Sequence, residues 1–106
     1  MTDLVVLTCM DFRIDPRQIV GDAFVLRNAG AQCSEDMIRS LQLARGLGVT
    51  RVRVLGHTDC AAYGRDDEAS TANAREAAEQ IRAAIPELEV EVDVLDLRTG
   101  VSRSAE

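Results

Sequence analysis

The sequence predicts an α/β fold: a small parallel sheet of about four strands, in the order 2-1-3-4, with flanking helices. Three observations carry that expectation. Residues 4–7 and 52–55 are short apolar runs without polar alternation, as in strands covered on both faces. Stretches with helical spacing of apolar residues separate the strand-like runs, which calls for crossover connections. Each of the two apolar runs leads directly into chemically active residues: Cys9-Met10-Asp11-Phe12-Arg13 after the first and His57-Thr58-Asp59-Cys60 after the second. In open α/β sheets such residues meet in the crevice beyond the carboxyl ends of the strands.

A chain of 106 residues fits one domain and can bury roughly 60–70% of its unfolded surface. The net charge is −6 and all twelve basic residues are Arg. The acidic balance, with no basic cluster interleaved with aromatics, argues against nucleic acid as a partner. The stretch after Met1 has no basic region, and Leu4-Val5-Val6-Leu7 is too short for a signal peptide or a membrane span. The expectation is a cytoplasmic protein with no membrane contact. Three cysteines without an export signal point to metal binding or thiol chemistry rather than to disulfides.

In chain order, residues 4–8 are the first strand and residues 9–14 its exit loop. Asp15-Pro16 starts a short helix over residues 17–20, with Asp as N-cap and Pro at the first helical position. Gly21-Asp22 ends it, residues 23–27 form a second strand, and Asn28-Ala29-Gly30 turns. Ser34-Glu35-Asp36 reads as a helix amino end. Ile38, Leu41, Ala44 and Leu47 recur along one face of that helix, with Met37 beside them, and Gly46 and Gly48 mark its stop. Residues 51–55 are the third strand, with Arg51 and Arg53 alternating unexpectedly on an inner position. Residues 63–71 are polar and read as a solvated loop that includes Asp66-Asp67-Glu68. From Asn73, the residues Ala74, Ala77, Ala78, Ile81 and Ile85 form a helical stripe that Pro86 terminates. Val90, Val92 and Val94 alternate with acids, the pattern of a half-exposed edge strand. Thr99-Gly100 turns, and the last six residues read as frayed.

The order 2-1-3-4 puts the first and third strands side by side at the topological switch point. Cys9, His57 and Cys60 then converge as two thiolates and one imidazole, a zinc site whose fourth position stays open, as in catalytic zinc. Zinc lowers the pKa of water and makes hydroxide available as a nucleophile. Two thiolates cancel the ion's charge, so activity is expected to rise on the alkaline side. Asp11 and Arg13, two residues apart, form a charge-assisted pair. Asp11 either accepts a hydrogen bond or proton from the water on zinc or binds the ion itself, and Arg13 decides between the two. Cys33 reads as a small hydrophobe. Asp59 and Tyr63 either border the site or face solvent.

Cys9-x-Asp11-x-Arg13, then Arg27-Asn28-Ala29-Gly30, then His57-x-x-Cys60 resembles the β-class carbonic anhydrases in order and placement, over about residues 4–63. Met10 and Thr58-Asp59 are similar to the smaller bacterial branch of that family. The resemblance implies a β-carbonic-anhydrase-like fold and Cys9, His57 and Cys60 as ligands of Zn2+. It further implies Asp11 and Arg13 as the catalytic dyad, and reversible hydration of carbon dioxide (CO2) to bicarbonate. A homodimer or higher homo-oligomer with sites at the subunit interface is implied as well. Ala61 stands where the family generally has Gly, and Phe12 where a small residue is common. The chain begins almost at its first strand, where family members carry helices that wrap a partner. Two other functions compete on the same residues: a zinc-binding pseudoenzyme or interaction domain, and hydrolysis of CS2 or COS.

Overall fold

The first strand, β1 (Leu4–Cys9), is buried along its whole length, which accounts for an apolar sequence without alternation. The computed structural model describes residues 2–106. On one side β1 pairs in parallel with β2 (Phe24–Asn28), and on the other with β3 (Arg51–His57). β3 in turn pairs in parallel with β4 (Glu89–Asp96). A fifth strand, β5 (Val101–Ser104), runs antiparallel to β4, and the sheet order is β2-β1-β3-β4-β5.

The expected 2-1-3-4 order is therefore present, with two corrections. β4 is an inner strand, and the chain beyond Thr99-Gly100 returns as the edge instead of fraying. Gly100 takes φ +75° and its N–H donates to Asp96 O at 2.8 Å, which closes the reversal. Backbone pairing rather than side-chain burial holds β5, since Val101 is exposed.

Two helices cover one face of the sheet. α2 (Glu35–Gly46) contributes Met37, Leu41 and Ala44, and α3 (Asp67–Ala84) contributes Ala74, Ala77, Ala78 and Ile81. They pack on Val5, Leu7, Val52, Val54, Val90 and Val92. Full burial of a side chain such as Leu41 or Ile81 contributes roughly 1.5–3 kcal/mol. The small residues of α3 let it lie close to the strands: a Cβ on Gly56 of β3 would stand 3.4 Å from the Ala74 Cβ. On the opposite face Val6, Ile14, Leu55 and Leu95 pack with Ile19 and Val20 of the short α1 (Pro16–Val20).

α3 starts at Asp67, not at Asn73, so residues 67–71 are helix where a loop was expected. The cause is capping. The Asp66 carboxylate accepts from Ala69 N–H at 3.1 Å, and Asp67 and Glu68 occupy the first turn, where the helix dipole favours acids. A 3-10 turn, Ala61–Tyr63, precedes it. Arg51 and Arg53 are accommodated by ion pairs: Arg51 Nη2 lies 3.2 Å from Asp3, and Arg53 Nη2 lies 2.9 Å from its cross-strand neighbour Glu91. Among the described residues, no helix is long and apolar enough to cross a membrane.

Candidate metal centre

β1 and β3 end side by side, and their last residues are Cys9 and His57. The chain then turns tightly so that Cys60, three positions on, faces both. The Cys9 and Cys60 sulfurs lie 3.9 Å apart, and the ligand atoms of Cys9, His57 and Cys60 all fall within 4.8 Å of one another. All three residues are buried, and both cysteines are free thiols.

The surroundings fix each donor. Ser70 of α3 donates its hydroxyl to His57 O at 3.0 Å. The His57 ring nitrogen Nδ1 lies 2.6 Å from Thr58 O, and a carbonyl can only accept, so Nδ1 carries the proton. In the neutral ring Nε2 then carries the lone pair, and it is buried without any hydrogen-bond partner. Such an orphaned acceptor costs roughly 1–3 kcal/mol, a penalty that a metal ion at Nε2 removes. Gly30 N–H donates to Cys9 Sγ at 3.3 Å, which fixes the sulfur's position. Burial and the neighbouring Cys9 push the Cys60 thiol up, whereas N–H groups of Ala62 and Tyr63 oppose this. A divalent cation reverses that balance. Two sulfurs, one imidazole nitrogen and no fourth protein donor among them suit zinc with an exchangeable position.

Asp11 and Arg13 sit at the rim as a bidentate pair. Arg13 Nε donates to Asp11 Oδ1 at 3.0 Å and Nη2 donates to Oδ2 at 2.7 Å, while Arg13 N–H adds a bond to Oδ1. These hydrogen bonds and the guanidinium charge hold the Asp11 carboxyl down at about 2 despite its partial burial. The carboxylate is thus ionised and turned towards Arg13. Asp11 is not among the three residues whose donor atoms cluster.

The depression outside the cluster is lined by Cys9, Asp11 and Arg13 together with Met10, Phe12, Ala29, Ala61 and Ala62. Arg27 secures its floor, donating to Cys9 O at 2.9 Å and Asp11 O at 2.7 Å. Asp59 and Tyr63, undecided from sequence, do not line this depression but bond to residues beside it. Asp59 receives Arg13 and Arg65, and Tyr63 donates its hydroxyl to Gly30 O at 2.7 Å. Asn73 adds a second bond to Gly30 O, a contact for which the sequence carries no signal. Cys33 is only partly buried, packs against the core under α2, and takes no part in the site.

An α/β protein with a mostly parallel sheet thus carries Cys9 and His57 at its central strand ends and Cys60 in the turn that follows, with an Asp–Arg pair beside them. Residues 4–103 match the family described as carbonic anhydrase, and the chain belongs to it, in the β class. Among curated relatives, β-carbonic anhydrase 1 of Mycobacterium tuberculosis is 40% identical over 62 residues, 54% of this chain and 38% of that protein. Carbon disulfide hydrolase of an Acidianus species is 44% identical over 60 residues, 52% of this chain and 29% of that protein. The match thus spans well under half the length of these relatives. Among solved structures, carbonic anhydrase from Streptococcus mutans superposes with TM-score 0.82 at 26% identity, covering 99% of this chain and 82% of that one.

Proposed function

We propose that this protein hydrates carbon dioxide reversibly to bicarbonate, with Zn2+ held by Cys9 Sγ, His57 Nε2 and Cys60 Sγ. The observation that carries the reading is the partnerless, buried His57 Nε2 facing two buried thiols. Zinc, when bound there, supplies the Lewis acidity that generates a nucleophile from water near neutral pH. Asp11 and Arg13 are the catalytic residues of the proposal. The Asp11 carboxylate accepts the hydrogen bond that orients the nucleophile, and Arg13 keeps that carboxylate turned from the metal cluster. Met10, Phe12, Ala29, Ala61 and Ala62 offer an uncharged wall to an uncharged substrate, and the two nearby guanidiniums, Arg13 and Arg65, favour the anionic product.

Stopped-flow hydration by zinc-loaded protein tests this reading; a rate no better than that of free zinc ends it. Cys60→Ala is expected to lose stoichiometric zinc. Asp11→Ala is expected to retain zinc and lower turnover at least about tenfold. Zinc at full occupancy in the Cys60 variant contradicts the ligand assignment.

A second reading, hydrolysis of CS2 or COS at the same site, is favoured by the 44% match to the Acidianus enzyme. Parallel assays on the three substrates separate the two. Phe12 is 93% exposed and Met10 65% at the cavity rim, which supports a homodimer or higher homo-oligomer that covers them.

A further inference from the structure

We propose that Asp59 is a positioning residue that anchors Arg13 and, through it, holds Asp11 off the metal cluster; this rests on the roles given above to Asp11 and Arg13.

The argument is geometric. Asp11 and Arg13 lie on one short loop, so the bonds between them fix the two residues relative to each other but not relative to His57 and Cys60. Asp59 sits between those two candidate ligands in the chain. Arg13 Nη1 donates to Asp59 Oδ2 at 3.0 Å, and Arg13 Nη2 donates to Asp59 O at 3.1 Å. These contacts tie the first loop to the second. Asp59 is itself held from two further directions: Arg65 Nη1 donates to its Oδ1 at 3.0 Å, and its N–H donates to Asp67 Oδ1 at 2.9 Å, at the start of α3. The result is an alternating row, Asp11–Arg13–Asp59–Arg65, in which each Asp11-facing N–H of Arg13 is aimed by the N–H groups on its far side.

The backbone supports a built-in role. Asp59 has φ +56°, a left-handed conformation that L residues other than Asn and Asp rarely adopt. That conformation presents its side-chain and main-chain oxygens to one guanidinium. A purely turn-forming residue needs the backbone angle alone, which Gly supplies at lower cost. Asp59→Gly therefore separates the carboxylate from the turn. Asp59→Asn serves if Gly loosens the fold, because Arg13 and Arg65 bond different carboxylate oxygens and the amide replaces one of them with a donor.

Three measurements decide the matter. In the metal-free protein, NMR of the Arg13 guanidinium reads rotation about its Nε–Cζ bond. The parent is expected to hold its two Nη groups distinct, and Asp59→Gly to rotate roughly tenfold faster, as befits loss of the charge-assisted Nη1–Oδ2 bond. In the cobalt(II)-loaded protein, the visible d–d bands read the metal's ligands. Asp59→Gly is expected to shift them as Asp11 swings towards the ion, and the Asp11→Asn/Asp59→Gly double variant to match Asp11→Asn alone. If the parent hydrates CO2, kcat is expected to fall roughly tenfold in Asp59→Gly with metal content unchanged, and not to fall further in the Asp11→Asn background. Unchanged Arg13 rotation overturns the proposal, as do cobalt bands that shift equally with and without Asp11. The first measurement needs neither metal nor turnover, so a failure of the hydration reading stays distinct from a failure of this one.

Discussion

At the scale of single residues, the site depends on two kinds of information with unequal visibility. Cys9 and His57 are legible because a sheet rule places strand ends, and Cys60 follows His57 by one tight turn. Tyr63 and Asp59 are not legible, since their partners lie 33 and 46 positions away in Gly30 and Arg13 and depend on local backbone angles. Gly30 shows how closely the two kinds meet. It has φ +82°, its N–H reaches the Cys9 sulfur, and its carbonyl receives Tyr63 and Asn73. A Cβ there would stand 2.7 Å from the Tyr63 hydroxyl and 2.9 Å from its ring. Gly30→Ala is therefore expected to lose about 2 kcal/mol or more, from backbone strain and overlap together. Gly46, the last residue of α2, has nothing within 4 Å of its would-be Cβ. The same change there is expected to gain roughly 0.5 kcal/mol. Urea midpoints of the two variants check the opposite signs.

At the scale of elements, helix starts and strand ends carried unequal signals. Ser34-Glu35-Asp36 announces α2, and the Ser34 hydroxyl does accept from Met37 N–H at 3.2 Å. Asp66-Asp67-Glu68 obeys the same grammar at α3, yet three consecutive acids beside Gly64 and Arg65 read as solvated loop. The apolar stripe that betrays α3 begins only at Ala74, because the first turns bury just Ser70. The strength of the cap is measurable. Asp66→Ala is expected to cost about 1 kcal/mol, and amide exchange at residues 67–71 should accelerate more than at residues 74–81. Equal acceleration along the helix would mean that the cap has no local role. β5 carried no signal of either kind, since one exposed Val and two Ser give no face to bury. Its register is imposed from β4 by backbone pairing.

At the scale of the whole molecule, the order 2-1-3-4 was legible because burial on both faces demands an apolar run and crossovers are right-handed. The return of the chain along β4 was not. The tail is secured by polar contacts that only the folded arrangement assembles. The Glu106 carboxylate accepts from Val92 N–H at 2.7 Å and from Arg82 Nη2 at 2.9 Å; Arg82 also donates to Glu79 and to Val90 O. Ala105 O receives Arg75 from α3. Burial raises the Glu106 carboxyl, but the Val92 bond and Arg82 outweigh it, and the group ends below its ordinary 4.5. A carboxyl lowered by folding binds fewer protons in the native state, so its contribution is present above the ordinary value and is lost as pH falls through the native one. Glu106→Gln, which keeps one acceptor but no charge, is expected to be less stable than the parent at about pH 7, with the difference shrinking as pH drops below about 4. Urea unfolding of both proteins across that range reads it directly. A difference that grows towards acid would mean that the native contacts favour the protonated carboxyl, and would detach the tail's polar clasp from the stability of the sheet edge.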